Sequence, residues 1–166
     1  MSPQSGTGPA ANGPLPEIGT KMPDGTVYAG LSMDTGKPSF IAAAGGRMRD
    51  GTVYAGISPD TGKRMYTTAA DAPGAFTWSQ AIQYCRDLLA SGHRDWRVPT
   101  LGELAVQFGN RADIGGYNET GKLRGASGYY WSSLEVGDDQ AWGQRFNDGF
   151  HEDFSKDLVS SLRCVR

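Results

Sequence analysis

Few side chains in this sequence could carry out chemistry, and their spacing does not favour it. The 166 residues include two cysteines, Cys85 and Cys164, and two histidines, His93 and His151. Cysteines without CxxC spacing are poor candidates for a metal site, and we find no evident pairing of a nucleophile with a base. A Gly-x-Ser-x-Gly turn and a glycine-rich phosphate loop are also missing from the sequence. We therefore expect a protein that is not an enzyme and has no cofactor.

Two groups of polar residues near the C-terminus could suggest a metal. Asp138, Asp139, Asn147 and Asp148 could supply oxygen ligands to calcium, but acidic turns are common without a metal. The sequence His151-Glu152-Asp153 could suggest zinc binding or catalysis. Neighbouring residues of a strand point to opposite faces, so these three cannot converge without a bulge. We expect no metal site.

The same region contains the better candidates for binding a ligand. Aromatic side chains alternate there with short polar groups, and rings supply contact area at a low cost in entropy. The alternative is an ordinary solvated hairpin. The candidate residues are Leu134, Glu135, Asp138, Asp139, Gln140, Asn147, Phe150, His151, Glu152, Asp153 and Phe154.

The segment from Asp95 to Leu104 has the most motif-like sequence, and we interpret it as structural. Trp96 is predicted to be a core anchor, and Pro99 sets the start of the following helix. Arg97 is expected to pair with a carboxylate such as Glu103, because arginine stays charged and rarely acts as a base. We also assign structural roles to three other tryptophans, Trp78, Trp131 and Trp142.

Composition excludes several classes of protein. The net charge is −2, and no concentrated basic stripe is visible, so we expect no nucleic-acid partner. Apolar runs are only a few residues long, which predicts no insertion into a membrane. The first 20 residues lack the basic and apolar regions of a signal peptide. We expect the protein either to stay inside the cell or to leave by another route; an extracellular, cell-surface or virion location is suspected.

The chain divides into three predicted parts. Residues 1–20 are rich in Gly, Pro, Ser and Ala, which predicts a disordered or extended segment. Residues 21–37 return as 47–63 with 13 of 17 positions identical. Each copy predicts a β-hairpin that returns through Phe40 or Tyr66, and isolated hairpins are marginal in water. We therefore expect a first hairpin at 21–46 that packs on the domain or on another subunit, and a domain at 47–166 that includes the second copy.

Helix and strand signals follow the repeat. Capping boxes at Thr77 and Thr100 predict two helices, the first running to Leu89 with Gly92 just beyond its end. The stretch 110–128 is predicted to be a long loop. The sequence then predicts strands that begin at Tyr129 and at Gln140, with a turn at 147–149. Residues Leu158, Ser160, Leu162 and Cys164 are expected to alternate onto one face of a final strand, so that both cysteines point inward and one bridge is geometrically reasonable.

An ordered series of motifs resembles a known family. The series comprises Trp78, Ala81, Tyr84–Cys85, Asp95–Thr100, Glu103–Leu104, Tyr130–Ser133, Ala141–Trp142 and Arg163–Arg166. From about Asp50 to Arg166 the chain is similar to the Lcl C-terminal domain family. That resemblance implies an α+β, C-type-lectin-like domain with two helices and antiparallel strands, in which a disulfide ties the first helix to the last strand.

The resemblance also implies a class of function. This fold occurs in bacterial adhesins, phage-associated proteins and the variable proteins of diversity-generating retroelements, to which this chain is similar in its Tyr-Trp-Ser-Ser segment. The chain lacks the Glu-Pro-Asn and Gln-Pro-Asp triplets of calcium-dependent lectins. The implied partner is a protein or glycan ligand on a cell surface. The N-terminal hairpin is expected to serve attachment or to form a homo-oligomer. The rival hypothesis is a structural part of a phage tail or envelope with no ligand of its own.

Overall fold

The computed structural model describes Leu15, Glu17 and residues 20–22, 26–121 and 128–166. The segment 1–20, predicted to be disordered or extended, lies almost wholly outside the described residues. The chain forms two units, residues 1–42 and 43–166. None of the described helices is long and apolar enough to cross a membrane.

The described elements confirm the predicted α+β class. All strand pairs are antiparallel and form two hairpins, β1–β2 and β3–β4, and one sheet of order β5-β6-β7. In chain order the elements are β1 (Thr26–Leu31), β2 (Pro38–Ala42), β3 (Val53–Ile57), β4 (Arg64–Thr67), α1 (Trp78–Asp87), α2 (Leu101–Gly109), α3 (Arg111–Ile114), β5 (Tyr129–Val136), β6 (Gln140–Arg145) and β7 (His151–Ser155).

Both copies of the repeat form the predicted hairpin, with matching backbone detail. The strand register shifts at Gly30 in the first copy and at Gly56 in the second, where φ is 97° and 125°. Backbones at positive φ favour glycine, which explains why both copies keep it there. Ser32 and Ser58 donate their N–H groups to the carbonyl five residues later, over 2.8 and 2.9 Å. The repeated sequence therefore encodes one local backbone.

The second copy contributes to the core of residues 43–166. Val53, Ala55 and Met65 are buried together with Ile114 and Val165. These contacts bring β3 and β4 against α3 and the C-terminal segment. The expected packing of this copy on the following domain is confirmed.

Both long helices begin at the predicted capping boxes. The Thr77 hydroxyl accepts the N–H of Gln80, and the Gln80 side chain accepts the N–H of Thr77. Thr100 and Glu103 form the same reciprocal pair at α2. Each box satisfies donors that a helix start would otherwise leave unpaired.

The end of α1 differs from the prediction. The helix ends at Asp87, because Leu88 adopts an extended conformation with φ −64° and ψ 121°. Leu89, predicted to be the last residue of the helix, therefore lies outside it and is exposed. Gly92 has φ 77° but belongs to a separate tight turn.

The stretch 110–128 is not a loop throughout. It begins with α3, a helix of four residues that the sequence did not predict. Gly115 ends this helix with φ 75°, and residues 115–121 follow without regular structure. The rest of the predicted loop, up to residue 127, lies outside the described residues.

The C-terminal segment is buried on all sides instead of alternating. Residues 160–165 are all buried and form isolated bridges rather than a strand. Ser160 pairs with Phe76, and Val165 pairs with both Thr67 and Arg97. Because neighbours lie on every side, the expected exposed face does not exist. Leu158, which was expected to point inward, is exposed.

A disulfide ties α1 to this segment, as predicted. Cys85 and Cys164 are bonded, with their Cα atoms 5.7 Å apart, and both are buried. The surrounding cluster includes Ala81 from α1, Trp96 from the connection to α2, and Leu162. The bond therefore lies inside the largest core.

Candidate ligand-binding surface

Strand register divides the side chains of the β5-β6-β7 sheet between two faces. Residues paired across antiparallel strands share a face, and faces alternate along each strand. Ala141 pairs with Phe154, and Trp131 pairs with Gly143. Ala141, Phe154, Trp131 and Tyr129 are buried in one cluster with the disulfide and α1. This is the core face of the sheet.

The opposite face is covered by α2 over part of its length. Tyr130 pairs with Gln144, and both are buried. Tyr130 packs with Leu104 of α2 and with Phe146. Beyond this contact the same face carries side chains that are exposed or half-buried. We call the following residues the open face: Leu134, Val136, Gln140, Trp142, His151, Asp153 and Ser155.

Trp142 lies at the centre of the open face. It is half-buried and pairs across the strands with Asp153. Its ring centre is 6.0 Å from that of His151. On its other side β5 bulges, and Leu134 and Val136 are 47% and 38% exposed. The result is an aromatic centre flanked by apolar and polar groups on a firmly held sheet.

The structure brings part of the predicted ligand set together. Leu134, Gln140, His151 and Asp153 lie on the open face. Four further exposed residues of the set lie in the two turns of the sheet: Asp138 and Asp139 in the first, Asn147 and Phe150 in the second.

Phe154 was expected on the ligand face and is instead a core residue. It is 3% exposed, and its ring stacks on Trp131 with centres 4.3 Å apart. A methyl group at Gly143 would come within 2.8 Å of the Phe154 ring, so the packing is tight. The prediction was wrong because position 154 shares the face of Ala141.

Glu135 and Glu152 were also predicted to bind a ligand, but neither lies on the open face. Their strand pairing puts them on the side of the core face, near its edge. Glu135 accepts a bond of 2.6 Å from Lys156, and Glu152 accepts one of 3.0 Å from the Tyr129 hydroxyl. Both carboxylates are therefore bonded to neighbouring side chains and do not lie on the open face.

Lys156 holds the first turn, a role that the sequence did not reveal. Its ammonium group donates to Glu135 and to the carbonyls of Gly137 and Asp138, over 2.6, 3.3 and 2.9 Å. It also lies 4.8 Å from the centre of the Trp78 ring. A single lysine after a strand carries no pattern that predicts such contacts.

Arg145 organises the second turn. Its Nε donates to Asp148 over 2.9 Å, and this bond holds the pKa of Asp148 below its usual range. Asp148 also accepts the N–H of Phe150 over 3.1 Å. The guanidinium lies 5.4 Å from the centre of the Phe150 ring. Phe150 is thus exposed but oriented by its neighbours.

Comparison with known protein families shows that the sequence model of the Lcl C-terminal domain family matches residues 58–166. The chain belongs to the Lcl C-terminal domain family. No curated protein sequence matches the chain. The match covers the three helices, the three-stranded sheet and both cysteines of the Lcl domain. It begins eight residues after the start near Asp50 that the sequence resemblance suggested.

The motif-like segment of the Lcl domain forms an ion pair between the buried Glu103 and the partly exposed Arg97. Arg97 donates two bonds, of 2.6 and 2.7 Å, to Glu103, as predicted. Ser58 and the N–H of Thr100 complete the contacts of that fully buried carboxylate. Burial raises the pKa of Glu103, but the bonds from Arg97, Thr100 and Ser58 outweigh burial and keep it below its usual value. Every oxygen of Glu103 is therefore occupied.

The other residues assigned structural roles lie around this pair and the disulfide. Trp96 and Trp131 are buried, and their indole N–H groups donate to Ala90 and Phe76. Trp78 is half-buried and donates to Ser132 over 2.9 Å, and Pro99 accepts the N–H of Ser133. Trp142 was also assigned a structural role, but it is only half-buried and lies at the centre of the open face.

Two pockets of the Lcl domain lie away from the open face. One of about 660 Å³ runs along α1, where Phe76 and Tyr84 form its aromatic wall and Asp87 is its only acidic group. The Gln83 side chain donates a hydrogen bond to Asp87, so this carboxylate is already paired within the protein. Another, of about 450 Å³, lies over Arg97 and Glu103, which satisfy each other. We favour the open face because the side chains of Gln140, His151 and Asp153 form no hydrogen bond or ion pair with other described residues and lie beside an aromatic centre.

No group of three or more His, Cys, Asp or Glu side chains in the described parts of the chain could hold a metal ion. His151 and Asp153 lie on the open face, whereas Glu152 is on the other. The side chains of His151, Glu152 and Asp153 therefore alternate between the two faces of β7, as predicted.

Proposed function

We propose that this protein is a non-catalytic ligand binder that uses the open face of its Lcl domain. One observation carries the proposal: a sheet packed against a disulfide-linked core on one side presents Trp142, flanked by exposed apolar and polar groups, on the other. A rigid scaffold lowers the entropy cost of binding, because the contact residues are already ordered.

The state of the reactive groups supports a role without catalysis. Cys85 and Cys164 are joined and buried, so neither offers a thiolate. His93 is bonded to Asp50 over 2.7 Å, and Glu103 is enclosed by its donors. A nucleophile with an adjacent free base is the usual sign of covalent catalysis.

We also propose that the domain has a C-type-lectin-like fold and that it serves as a diversified receptor or an adhesin. The disulfide between the first helix and the last segment supports the fold. Deep sequencing of the 3′ end of the gene in a clonally derived population tests diversification. Substitutions concentrated at adenines in the codons for residues 134–154 support it, and a uniform sequence points to a fixed-specificity binder.

The experiment for the main proposal screens the full chain against an array of peptides and glycans. We then measure the strongest ligand with the Trp142→Ala and Val136→Ser variants. We expect both variants to weaken binding with melting temperatures close to that of the wild type. A variant such as Gln83→Ala, in the cleft along α1, serves as the matched control. Weakening by the control alone would move the site to that cleft.

The second candidate function is assembly, and the duplicated hairpin favours it. The two copies share their register shift and turn bonds, although a lone hairpin is marginal. A second copy of this chain could cover the first hairpin. Mass in solution before and after deletion of residues 1–46 tests assembly, and an unchanged monomer argues against it.

A further inference from the structure

We infer that the open face binds a basic polypeptide segment, with an arginine or lysine side chain placed over Trp142 and against Asp153. This inference rests on the proposed function and names the class of ligand. It follows from the apolar content of the face, the charges around it and the position of one carboxylate.

The apolar part of the face suits a polypeptide. Leu134 and Val136 are exposed on the same face of β5, and Trp142 lies next to them on β6. Contiguous exposed apolar groups of this kind mark contact surfaces for other proteins. Tryptophan is also among the residues most often found at energetically important contacts.

The charges around the face are strongly negative. Between residues 134 and 157 the sequence has seven carboxylates and two basic residues. Both basic residues are already paired, Arg145 with Asp148 and Lys156 with Glu135. Asp138, Asp139 and Asp153 have no ion-pair partner among the residues that the structure describes; the first two lie in the turn next to the face. A polyanion would be repelled here, whereas a basic chain would be attracted.

The position of Asp153 specifies the ligand further. It pairs across the strands with Trp142, so a carboxylate and an indole ring are neighbours on one face. A cation over an indole is attracted by the negative face of the ring, and a guanidinium stacks well on a ring. Asp153 supplies the opposite charge beside that position. Arginine and lysine carry both features, the apolar stem and the charged end.

The test uses two fluorescein-labelled decapeptides of alternating sequence, one of Arg and Gly and one of Glu and Gly, with the full chain. We expect the basic peptide to bind and the acidic one not to bind, with affinity that falls as salt is raised. Trp142→Ala and Asp153→Asn should each weaken binding of the basic peptide by about tenfold, equivalent to about 1.4 kcal/mol. The charge-matched control is Asp87→Asn, an exposed carboxylate on α1, and it should change affinity less than about twofold.

The outcomes separate this inference from the proposed function. Equal weakening by Asp153→Asn and Asp87→Asn would mean a general charge effect and would overturn the inference. A neutral or anionic array ligand that is lost in Trp142→Ala would overturn the inference while the proposed function stands. If Trp142→Ala and Val136→Ser, folded by melting temperature, alter the binding of neither peptide nor any array ligand, both proposals fail.

Discussion

Phe150 and Phe154 lie four residues apart on the last hairpin and have opposite surroundings. Phe150 is 51% exposed in a turn that Arg145 and Asp148 hold in place. Phe154 is 3% exposed and stacks on Trp131 beneath α1. The residue type is the same, so the difference comes from position: Phe154 lies on the core face of β7, whereas Phe150 lies in the turn before that strand. One face of this sheet packs in the largest described core, whereas α2 covers only part of the other.

The largest expected effect tests this contrast directly. Phe154→Ala should lower the free energy of unfolding by about 3–5 kcal/mol, because it leaves a cavity against a packed indole. Phe150→Ala should cost less than about 1 kcal/mol, since the ring is half in solvent. Urea denaturation of both variants measures the two values. Equal losses would contradict the division between core and surface.

Removing the disulfide tests the core side by another route. The bond joins residues separated by 79 positions, and its loss in Cys85→Ala/Cys164→Ala should cost about 4 kcal/mol in the chain-entropy description. Because both sulfur atoms are buried, dithiothreitol should reduce the wild-type bond only after denaturant is added. Rapid reduction of the native protein, followed by thiol labelling and mass spectrometry, would show that the core opens easily.

The ion pair between Arg97 and the buried Glu103 predicts how stability depends on pH. The pKa of Glu103 is lower in the folded protein than its ordinary value of 4.5. Its contribution is therefore fully present above that pH and is lost as pH falls through the folded-state value. Glu103→Gln should cost about 2 kcal/mol at pH 7, a figure limited by the partial exposure of Arg97, and less at pH 3. Unfolding measured from pH 7 to pH 3 should therefore show a flatter profile for Glu103→Gln than for the wild type. Parallel profiles for the two proteins would mean that Glu103 is not the source of the pH dependence of stability.

The smallest expected effect concerns the turn beside the open face. Lys156→Met keeps the apolar stem but removes the donor to Glu135 and to two carbonyls. The loss of stability should be below about 1 kcal/mol, since this ion pair is partly exposed. Hydrogen exchange at residues 137–139 should become faster, with protection of β6 unchanged. Unaltered exchange in the turn would mean that the backbone alone orders it.

Local signals in the sequence predicted much of the fold. The capping boxes at Thr77 and Thr100 located both helix starts, and the repeat predicted two matching hairpins. These succeed because a cap or a turn depends on residues within a few positions. The end of α1 at Asp87 and the short helix α3 could not be predicted, because the pattern of apolar residues does not show where the backbone leaves helical geometry.

The candidate site was only partly predictable. Strand alternation separated His151 and Asp153 from Glu152 correctly, but it did not reveal which face would be covered. Phe154 was misplaced and Trp142 undervalued for that reason. Lys156 had no sequence signal, because its partners lie 18 to 21 residues away and meet it only through the turn.

The sequence by itself determined the family, the helix caps, the repeated hairpin and the inward direction of Cys85. Each of these depends on the spacing of residues in the sequence or on hydrogen bonds between residues a few positions apart. The tertiary structure decided the rest: which sheet face meets α1 and which stays open. It also enclosed residues 160–165 on every side. Burial is a property of the neighbours that folding brings together, and a residue's own neighbours in sequence do not specify it.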